Sequence, residues 1–112
     1  MDVSIISPVF NEKDNLEPFI KQVSDALSNE AWTWELILVD DGSEDGSLNL
    51  LQKLSKSQKN LRIISLSKNF GQTSAIQAGF DNASGKYLVT LDSDLQNDPK
   101  AVSYTHLTLP TS

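Results

Sequence analysis

The sequence predicts an α/β domain in which four parallel strands, in the order 3-2-1-4, are flanked by helices. Two observations lead to this fold class. Apolar runs of strand length alternate along the chain with segments of helical periodicity. The runs are apolar at nearly every position, which is typical of strands buried on both faces of a parallel sheet. This order is half of a doubly wound fold, in which ligands bind at the carboxyl ends of the strands.

The first half of the chain predicts two strands, each followed by a helix. Residues 3–9 (VSIISPV) and 34–39 (WELILV) are rich in β-branched and aromatic residues and are therefore predicted strands. Asp14 is the predicted start of the first helix, and either Asp45 or Ser47 can cap the second. The apolar positions of these helices recur at one-turn spacing: Leu16, Phe19, Ile20, Val23 and Leu27 in the first, and Leu48, Leu51 and Leu54 in the second.

The second half predicts a third helix between two further strands. The strands are residues 61–66 (LRIISL) and residues 87–91 (YLVTL). Gly85 is predicted to end the helix in a left-handed conformation. The apolar face predicted for this helix consists of Ile76, Gly79, Phe80 and Ala83.

Composition excludes several classes of site. The chain has 112 residues, a formal net charge of −6, one histidine and no cysteine. The negative charge argues against nucleic-acid binding, and the lack of cysteine excludes disulfides and thiolate metal sites. The start of the chain resembles no signal peptide, and no apolar run is long enough to span a bilayer. These features predict an acidic cytoplasmic domain.

Residues 102–112 do not continue the α/β pattern. VSYTHLTLPT resembles the in-frame translation of a transposase-type sequencing adaptor. The sequence therefore predicts a domain over residues 1–101 followed by a non-native tail over 102–112, in which Tyr104 and His106 have no functional role. We expect this tail to add no strand to the sheet.

The fourth predicted strand ends in LDSDLQNDP, which places two carboxylates close together. Asp92 and Asp94 have D-x-D spacing, and Gln96 follows two residues later. Like charges repel unless a cation lies nearby, and hard oxygen ligands at this spacing suit Mg²⁺ or Mn²⁺. The same pattern is common in solvated loops, so an ordinary exposed turn is the alternative.

Four motifs together resemble a known family. PVFNE (residues 8–12), VDDGSEDGS (39–47), SLSKNFGQTSAIQAGFDNASGKY (65–87) and LDSDLQNDP (91–99) occur in order, each at a predicted strand end. Together they resemble the N-terminal half of a family 2 glycosyltransferase with the Rossmann-like GT-A fold. The most similar subgroup is the polyprenyl-phosphate sugar transferases related to dolichol-phosphate mannose synthase.

The resemblance implies a role for each matching residue. Asp92 and Asp94 would be catalytic and, with Gln96, would hold the metal that bridges the diphosphate of a sugar nucleotide. Asp41 would accept a hydrogen bond from the ring N–H of uracil or guanine. The implied nucleotide-binding residues are Pro8, Phe10, Glu12, Asp40, Asp41, Lys68, Asn69 and Gly71.

Each of these residues also has a purely structural interpretation. The pair Asp40 and Asp41, followed by Gly42, could be turn and cap chemistry alone. Phe10 could belong to the core, Lys68 could be a solvated charge, and Asn11 or Glu12 could cap the first helix.

The resemblance implies an inverting, metal-dependent transfer of sugar from UDP or GDP to a polyprenyl phosphate. The full-length parent would act at the inner face of the membrane, through segments missing from this chain, and we expect the fragment alone to transfer no sugar. The alternative is a non-catalytic nucleotide-binding or receiver-like module. No third-strand aspartate, which a receiver needs, is present in LRIISLSKN.

Overall fold

The computed structural model describes residues 1–92 and the backbone of residues 107–108. The predicted alternation of strands and helices is confirmed, with boundaries that differ by one or two residues. The elements are β1 (Val3–Val9), α1 (Lys13–Leu27), β2 (Trp34–Asp40), α2 (Ser47–Ser55), β3 (Leu61–Ser65), α3 (Gln72–Asn82), β4 (Tyr87–Thr90) and β5 (Leu107–Thr108).

The sheet has the order β3-β2-β1-β4-β5, which confirms the predicted order of the first four strands. These four run parallel, and Val9 pairs with Asp40, which in turn pairs with Ser65. Because parallel strands end at the same edge, the loops that follow all four strands lie along one carboxyl edge of the sheet.

The prediction that the tail adds no strand is wrong. In the structure β5 pairs antiparallel with β4, with Leu88 opposite Thr108 and Val89 opposite Leu107. β4 would otherwise present an open sheet edge, and an open edge offers unpaired backbone groups to any nearby extended segment. Pairing of this kind needs no particular side chains, so the adaptor-like sequence did not reveal it.

Removal of the tail is nevertheless expected to cost little stability. A chain ending at Lys100 should unfold within about 1 kcal/mol of the full chain, because β5 contributes only two residue pairs at the edge of the sheet. Urea unfolding of the two chains measures the difference. A loss of several kcal/mol would show that the tail is a structural part of the domain.

The sheet separates two apolar layers. One face packs against α1 and α2, and the other packs against α3. Successive residues of β2 alternate between the layers, with Leu36 and Leu38 facing α1 and α2, and Ile37 and Val39 facing α3. The apolar face predicted for α1 is buried at every position: Leu16, Phe19, Ile20, Val23 and Leu27.

The face that α3 buries agrees with the predicted one at Gly79, Phe80 and Ala83, which meet the core on this side of the sheet, but not at Ile76. Its fully buried residues are Ala75 and Gly79, whereas Ile76 and Phe80 are half-buried. A Cβ at Gly79 would lie within 3.0 Å of the Ile6 side chain, so the helix crosses β1 closely enough to exclude any larger residue. The small residues Ala75 and Gly79 therefore make the closest approach to the sheet, and Ala75 is the buried position that the predicted face lacked.

Gly85 does not end α3 in a left-handed conformation, so that prediction is also wrong. The glycines with positive φ are Gly42, Gly46 and Gly71, and α3 ends earlier, with Ala83 as its extended C-cap. A Cβ at Gly85 would lie 2.5 Å from the backbone nitrogen of Ser4. Glycine is required here because the chain approaches β1 closely.

The amino edge of the sheet is held by a buried carboxylate. Glu35 accepts hydrogen bonds from the Ser4 hydroxyl and from the Ser84 N–H at 2.8 Å, and forms an ion pair with Arg62 at 2.9 Å. Burial alone would raise the pKa of Glu35, but these hydrogen bonds outweigh burial and lower the pKa below its ordinary value of 4.5. This group joins three strands at the end opposite the predicted site.

Glu35→Gln is expected to lower the free energy of unfolding by about 2 kcal/mol at pH 7, because the charge-assisted bonds are lost. The depressed pKa means that Glu35 stabilises the fold above about pH 4.5 and loses that contribution as the pH falls through the folded-state value. The difference between parent and variant should therefore shrink between pH 5 and pH 3 in urea unfolding. A constant difference would contradict this assignment.

Candidate nucleotide site at the carboxyl edge

Hydrogen bonds join the loops after β1 and β2. Asn11, which has a φ of 52°, donates its N–H to the Ser43 hydroxyl at 2.9 Å and accepts from the Glu44 N–H at 2.8 Å. Asparagine tolerates this left-handed conformation better than most residues do. The two loops therefore form one connected rim.

Asp45 adds a second connection between the same loops. Its carboxylate accepts from the Lys13 N–H and the Ser47 N–H, both at 3.0 Å, and from the Ser47 hydroxyl. Desolvation opposes ionisation, but these hydrogen bonds prevail and lower the pKa of Asp45. Asp45 thus satisfies one free N–H group at the start of each of α1 and α2.

Asp41 joins the end of β2 to the loop after β3. Its side chain is buried, and its two oxygens accept from the N–H groups of Phe70 at 2.8 Å and Gly71 at 3.0 Å and from the Asn69 amide at 3.1 Å. Every one of these donors lies in the segment 69–71. The resemblance implies a contact between Asp41 and the base, which stays a prediction; in the structure the carboxylate of Asp41 also holds this loop.

These loops border a solvent-open cavity of about 360 Å³ at the carboxyl edge. It contains seven of the predicted site residues and places Asp92, at the end of β4, together with residues that follow the other three strands. The lining consists of Pro8, Val9, Phe10, Glu12, Asp41, Asn69, Gly71, Gln72 and Asp92.

Asp40 and Lys68 do not line this cavity. They line a neighbouring groove of about 500 Å³, whose wall includes Phe10 and Asn69. Asp40 is separated from Asp41 because consecutive residues at a strand end point to opposite faces. Asp40 is 2% exposed, accepts from the Ser43 N–H at 3.2 Å through one oxygen, and has no hydrogen-bond partner for the other. The interpretation of Asp40 as a turn residue therefore explains the hydrogen bond to one of its oxygens, but not the burial of the other.

Phe10 is not a core residue. Its side chain is 46% exposed, and Phe70 is 50% exposed nearby on the loop that Asp41 holds. The Lys68 ammonium lies 5.2 Å from the centre of the Phe70 ring, within the range of a cation–π contact. Phe10 lines the cavity, so its ring is accessible to a planar ligand there.

The described lining of the cavity is acidic. It includes the carboxylates of Glu12, Asp41 and Asp92, and it includes no lysine or arginine. The Asp41 oxygens accept hydrogen bonds from neutral N–H groups, and one Glu12 oxygen accepts from the Asn15 amide at 2.8 Å. Asp92 is exposed, so its charge faces the cavity and solvent.

Two predicted metal ligands, Asp94 and Gln96, lie outside the described residues. Within the part of the chain that is described, no three acidic, histidine or cysteine side chains are close enough to form a metal cluster by themselves. Of the three predicted ligands, the structure therefore positions Asp92 alone.

The structure adds residues that the sequence did not single out. Gln72 lines the cavity as the first residue of α3, and Ser43 fixes the conformation of the rim through Asn11. Gln72 directly follows Gly71 in the motif of residues 65–87. Its position there could have identified it as a site residue. Nothing in the sequence pairs Asn11 with Ser43, which lies on a different loop.

Known proteins share this sequence and architecture. The family model described as Glycosyl transferase family 2 matches residues 4–105, past the domain boundary predicted at residue 101. Dodecaprenyl-phosphate galacturonate synthase of Rhizobium johnstonii is 45% identical over 103 residues, covering 91% of this chain and 30% of that protein. Undecaprenyl-phosphate 4-deoxy-4-formamido-L-arabinose transferase of Salmonella choleraesuis is 41% identical over 101 residues, covering 89% of this chain and 31% of that protein.

Solved structures share the same fold. Staphylococcus aureus TarS superposes with a TM-score of 0.65 at 26% identity, covering 84% of this chain and 28% of that structure. The mannosyltransferase PcManGT from Pyrobaculum calidifontis, in complex with GDP-Man and Mn²⁺, superposes with a TM-score of 0.65 at 23% identity, covering 82% of this chain and 27% of that structure. These similarities confirm the predicted fold class.

Proposed function

Because this chain belongs to glycosyl transferase family 2, we propose that it binds the nucleotide of a sugar donor in the cavity at the carboxyl edge. The parent protein would transfer the sugar to a polyprenyl phosphate. Family membership favours this function over the receiver-like alternative.

The names of the relatives support the choice of acceptor. The two relatives above are named for sugar transfer involving dodecaprenyl phosphate and undecaprenyl phosphate. This chain spans about a third of their length, so the activity of the whole protein is part of the proposal. Among the described residues, no helix has the length and apolarity needed to cross a membrane. Because the relatives are named for polyprenyl phosphates, which are lipids, we propose that the parent protein acts at the inner membrane face.

The charge of the cavity is the observation that best supports a metal-assisted donor site. A nucleoside diphosphate is anionic, and the described lining offers it carboxylates without a basic side chain. Carboxylate oxygens are the ligands that Mg²⁺ and Mn²⁺ prefer, so the residues fit such an ion. Asp92, together with Asp94 and Gln96, would hold it. The bound cation would neutralise the diphosphate and stabilise the charge that develops on the leaving group.

The order of the strands supports one orientation of the nucleotide in the cavity. Asp92 follows β4, whereas Asp41, Asn69 and Gly71 follow β2 and β3 at the other side of the cavity. We assign the diphosphate to the Asp92 side and the base to the side of Asn69 and Gly71. The accessible ring of Phe10 would stack against the base or ribose.

The proposed transfer is a single displacement with inversion. An oxygen of the acceptor phosphate attacks the anomeric carbon, and the bond from that carbon to the diphosphate oxygen breaks. The electron pair of that bond leaves with the nucleoside diphosphate. A phosphate acceptor is already anionic, so its attack requires no strong general base.

Binding of the nucleotide tests this function directly. The chain is expected to bind UDP or GDP in calorimetric titrations, and more tightly with Mn²⁺ than with EDTA, because the cation offsets the repulsion between carboxylates and diphosphate. AMP and inorganic phosphate serve as control ligands. If neither UDP nor GDP binds with Mn²⁺, or if the control ligands bind equally well, the proposed function is contradicted.

A further inference from the structure

We infer that Asn11 is a positioning residue, which fastens the turn after β1 to the turn after β2 and thereby directs the Phe10 ring into the nucleotide cavity. The inference rests on the proposed function, because it concerns nucleotide binding in the same cavity. Asn11 itself does not line the cavity, whereas its neighbours Phe10 and Glu12 do. Its effect on a nucleotide must therefore pass through those neighbours.

The backbone conformation of Asn11 needs support from outside its own turn. Among the described residues, Asn11 is the only residue other than glycine with a positive φ. This left-handed conformation costs free energy for any residue with a Cβ, although asparagine tolerates it better than most. The side chain of Asn11 does not cap α1, whose N-cap is Glu12. The bonds that support Asn11 come from the turn after β2.

Two hydrogen bonds of opposite direction join Asn11 to that turn. The Asn11 N–H donates to the Ser43 hydroxyl at 2.9 Å, and the Asn11 side-chain oxygen accepts from the Glu44 N–H at 2.8 Å. A backbone group and a side-chain group of one residue are thus held by two consecutive residues of the other turn. Such a pair of bonds fixes the orientation of Asn11 as well as its distance.

The direction of the Phe10 ring depends on this turn. Its side chain is 46% exposed, so packing against the core does not by itself hold the ring. β1 ends at Val9 and α1 begins at Lys13, so the sheet and the helix fix the chain on both sides of residues 10–12. A rotation of the Asn11 backbone is therefore absorbed by these three residues, and it moves Phe10 relative to the cavity.

Asn11→Ala tests the positioning role. Alanine lacks the acceptor oxygen and disfavours the left-handed conformation. We expect faster hydrogen exchange at the Glu44 amide and a loss of about three- to tenfold in affinity for whichever of UDP and GDP the parent chain binds with Mn²⁺. The variant should still fold, because the Lys13 N–H keeps its bond to Asp45 at 3.0 Å.

Asn82→Ala is the matched control. It removes an exposed asparagine from the other end of α3, where the side-chain amide donates to the Ala78 carbonyl at 2.8 Å. This variant also loses one side-chain hydrogen bond to the backbone, but it does so far from the carboxyl edge. It should change neither nucleotide affinity nor exchange at the Glu44 amide.

A double-mutant cycle with Phe10→Leu separates positioning from a general effect on the fold. Leucine keeps an apolar side chain at residue 10 but lacks a planar ring. If Asn11 acts through that ring, Asn11→Ala should cost much less affinity in a chain that already carries Phe10→Leu than in the parent chain. The gain in affinity from Mn²⁺ over EDTA should stay unchanged in Asn11→Ala, because the predicted metal ligands follow β4.

Non-additive losses together with faster exchange at the Glu44 amide support the inference. An equal loss in both backgrounds overturns it, and so does unchanged affinity or unchanged exchange at Glu44 in Asn11→Ala. If Asn11→Ala fails to fold, Ser43→Ala replaces it, since this variant removes the acceptor of the Asn11 N–H and should show the same non-additivity. Failure of the parent chain to bind either nucleotide would overturn the proposed function as well, whereas the other outcomes concern Asn11 alone.

Discussion

Replacement of Gly42 by alanine is expected to destabilise the fold by about 2 to 5 kcal/mol. Gly42 has a φ of 75°, and an added Cβ would lie 2.5 Å from the carbonyl carbon of Lys68 and also contact the nitrogen of Asn69. Both atoms belong to the backbone, so rotation of a side chain cannot relieve the contact. The variant should unfold at a much lower urea concentration, and any folded fraction should bind nucleotide weakly because residues 68–71 are displaced.

Gly46→Ala is the matched control for this prediction. Gly46 also has a positive φ, of 90°, but an added Cβ there would meet only the flexible end of Lys13, at 3.5 Å. We expect a cost of about 1 to 2 kcal/mol, from backbone conformation alone. If the two variants were equally stable, the close approach of Gly42 to residues 68–69 would not be an important constraint.

The largest expected effect on binding comes from the carboxylates that follow β4. Asp92→Asn and Asp94→Asn keep the shape of the side chain but remove a charge from the predicted metal ligands. Because metal and nucleotide should tighten each other's binding by a shared coupling factor of about 5 to 150, each variant should lose most of that factor. Calorimetric titration of UDP and GDP with Mn²⁺ should show the loss, and titration in EDTA should show a much smaller one.

Asp81→Asn provides the control for charge, since it removes one carboxylate from an exposed helix position. It should bind nucleotide as the parent does in both conditions. If Asp94→Asn bound as well as the parent in Mn²⁺, the D-x-D pair would be an ordinary solvated turn. The proposed metal site would then lose its main residues.

Much of the fold could be predicted because its signals are local. The apolar runs of β1 to β4 and the one-turn spacing in α1 are properties of short segments, and the alternation of strands and helices restricts the sheet to few topologies. The topology also predicted that the motifs lie together at the carboxyl edge of the sheet, because the loops that follow parallel strands all lie at that edge. The structure confirms this for Phe10, Glu12 and Asp92, which line one cavity.

The features that the sequence did not reveal depend on contacts between distant segments. Strand alternation separates Asp40 from Asp41, but packing against residues 65–71 decides which of the two faces the cavity, and DDGS alone does not show this. Gly85 was expected to act through its φ, but it is needed because Ser4 lies against it. The pairing of β5 with β4 depends on an open edge rather than on sequence.

The most direct test of the proposed nucleotide site is to identify the residues that a bound nucleotide contacts. Amide hydrogen exchange, measured with and without UDP or GDP in the presence of Mn²⁺, reports which backbone segments the nucleotide protects. A nucleotide bound in the cavity should protect the amides of residues 9–12 and 69–72, of Asp41 and of Asp92, with no change at the amino edge around Glu35 and Ser84. Protection at the amino edge, without protection at residues 69–72, would contradict the proposed site.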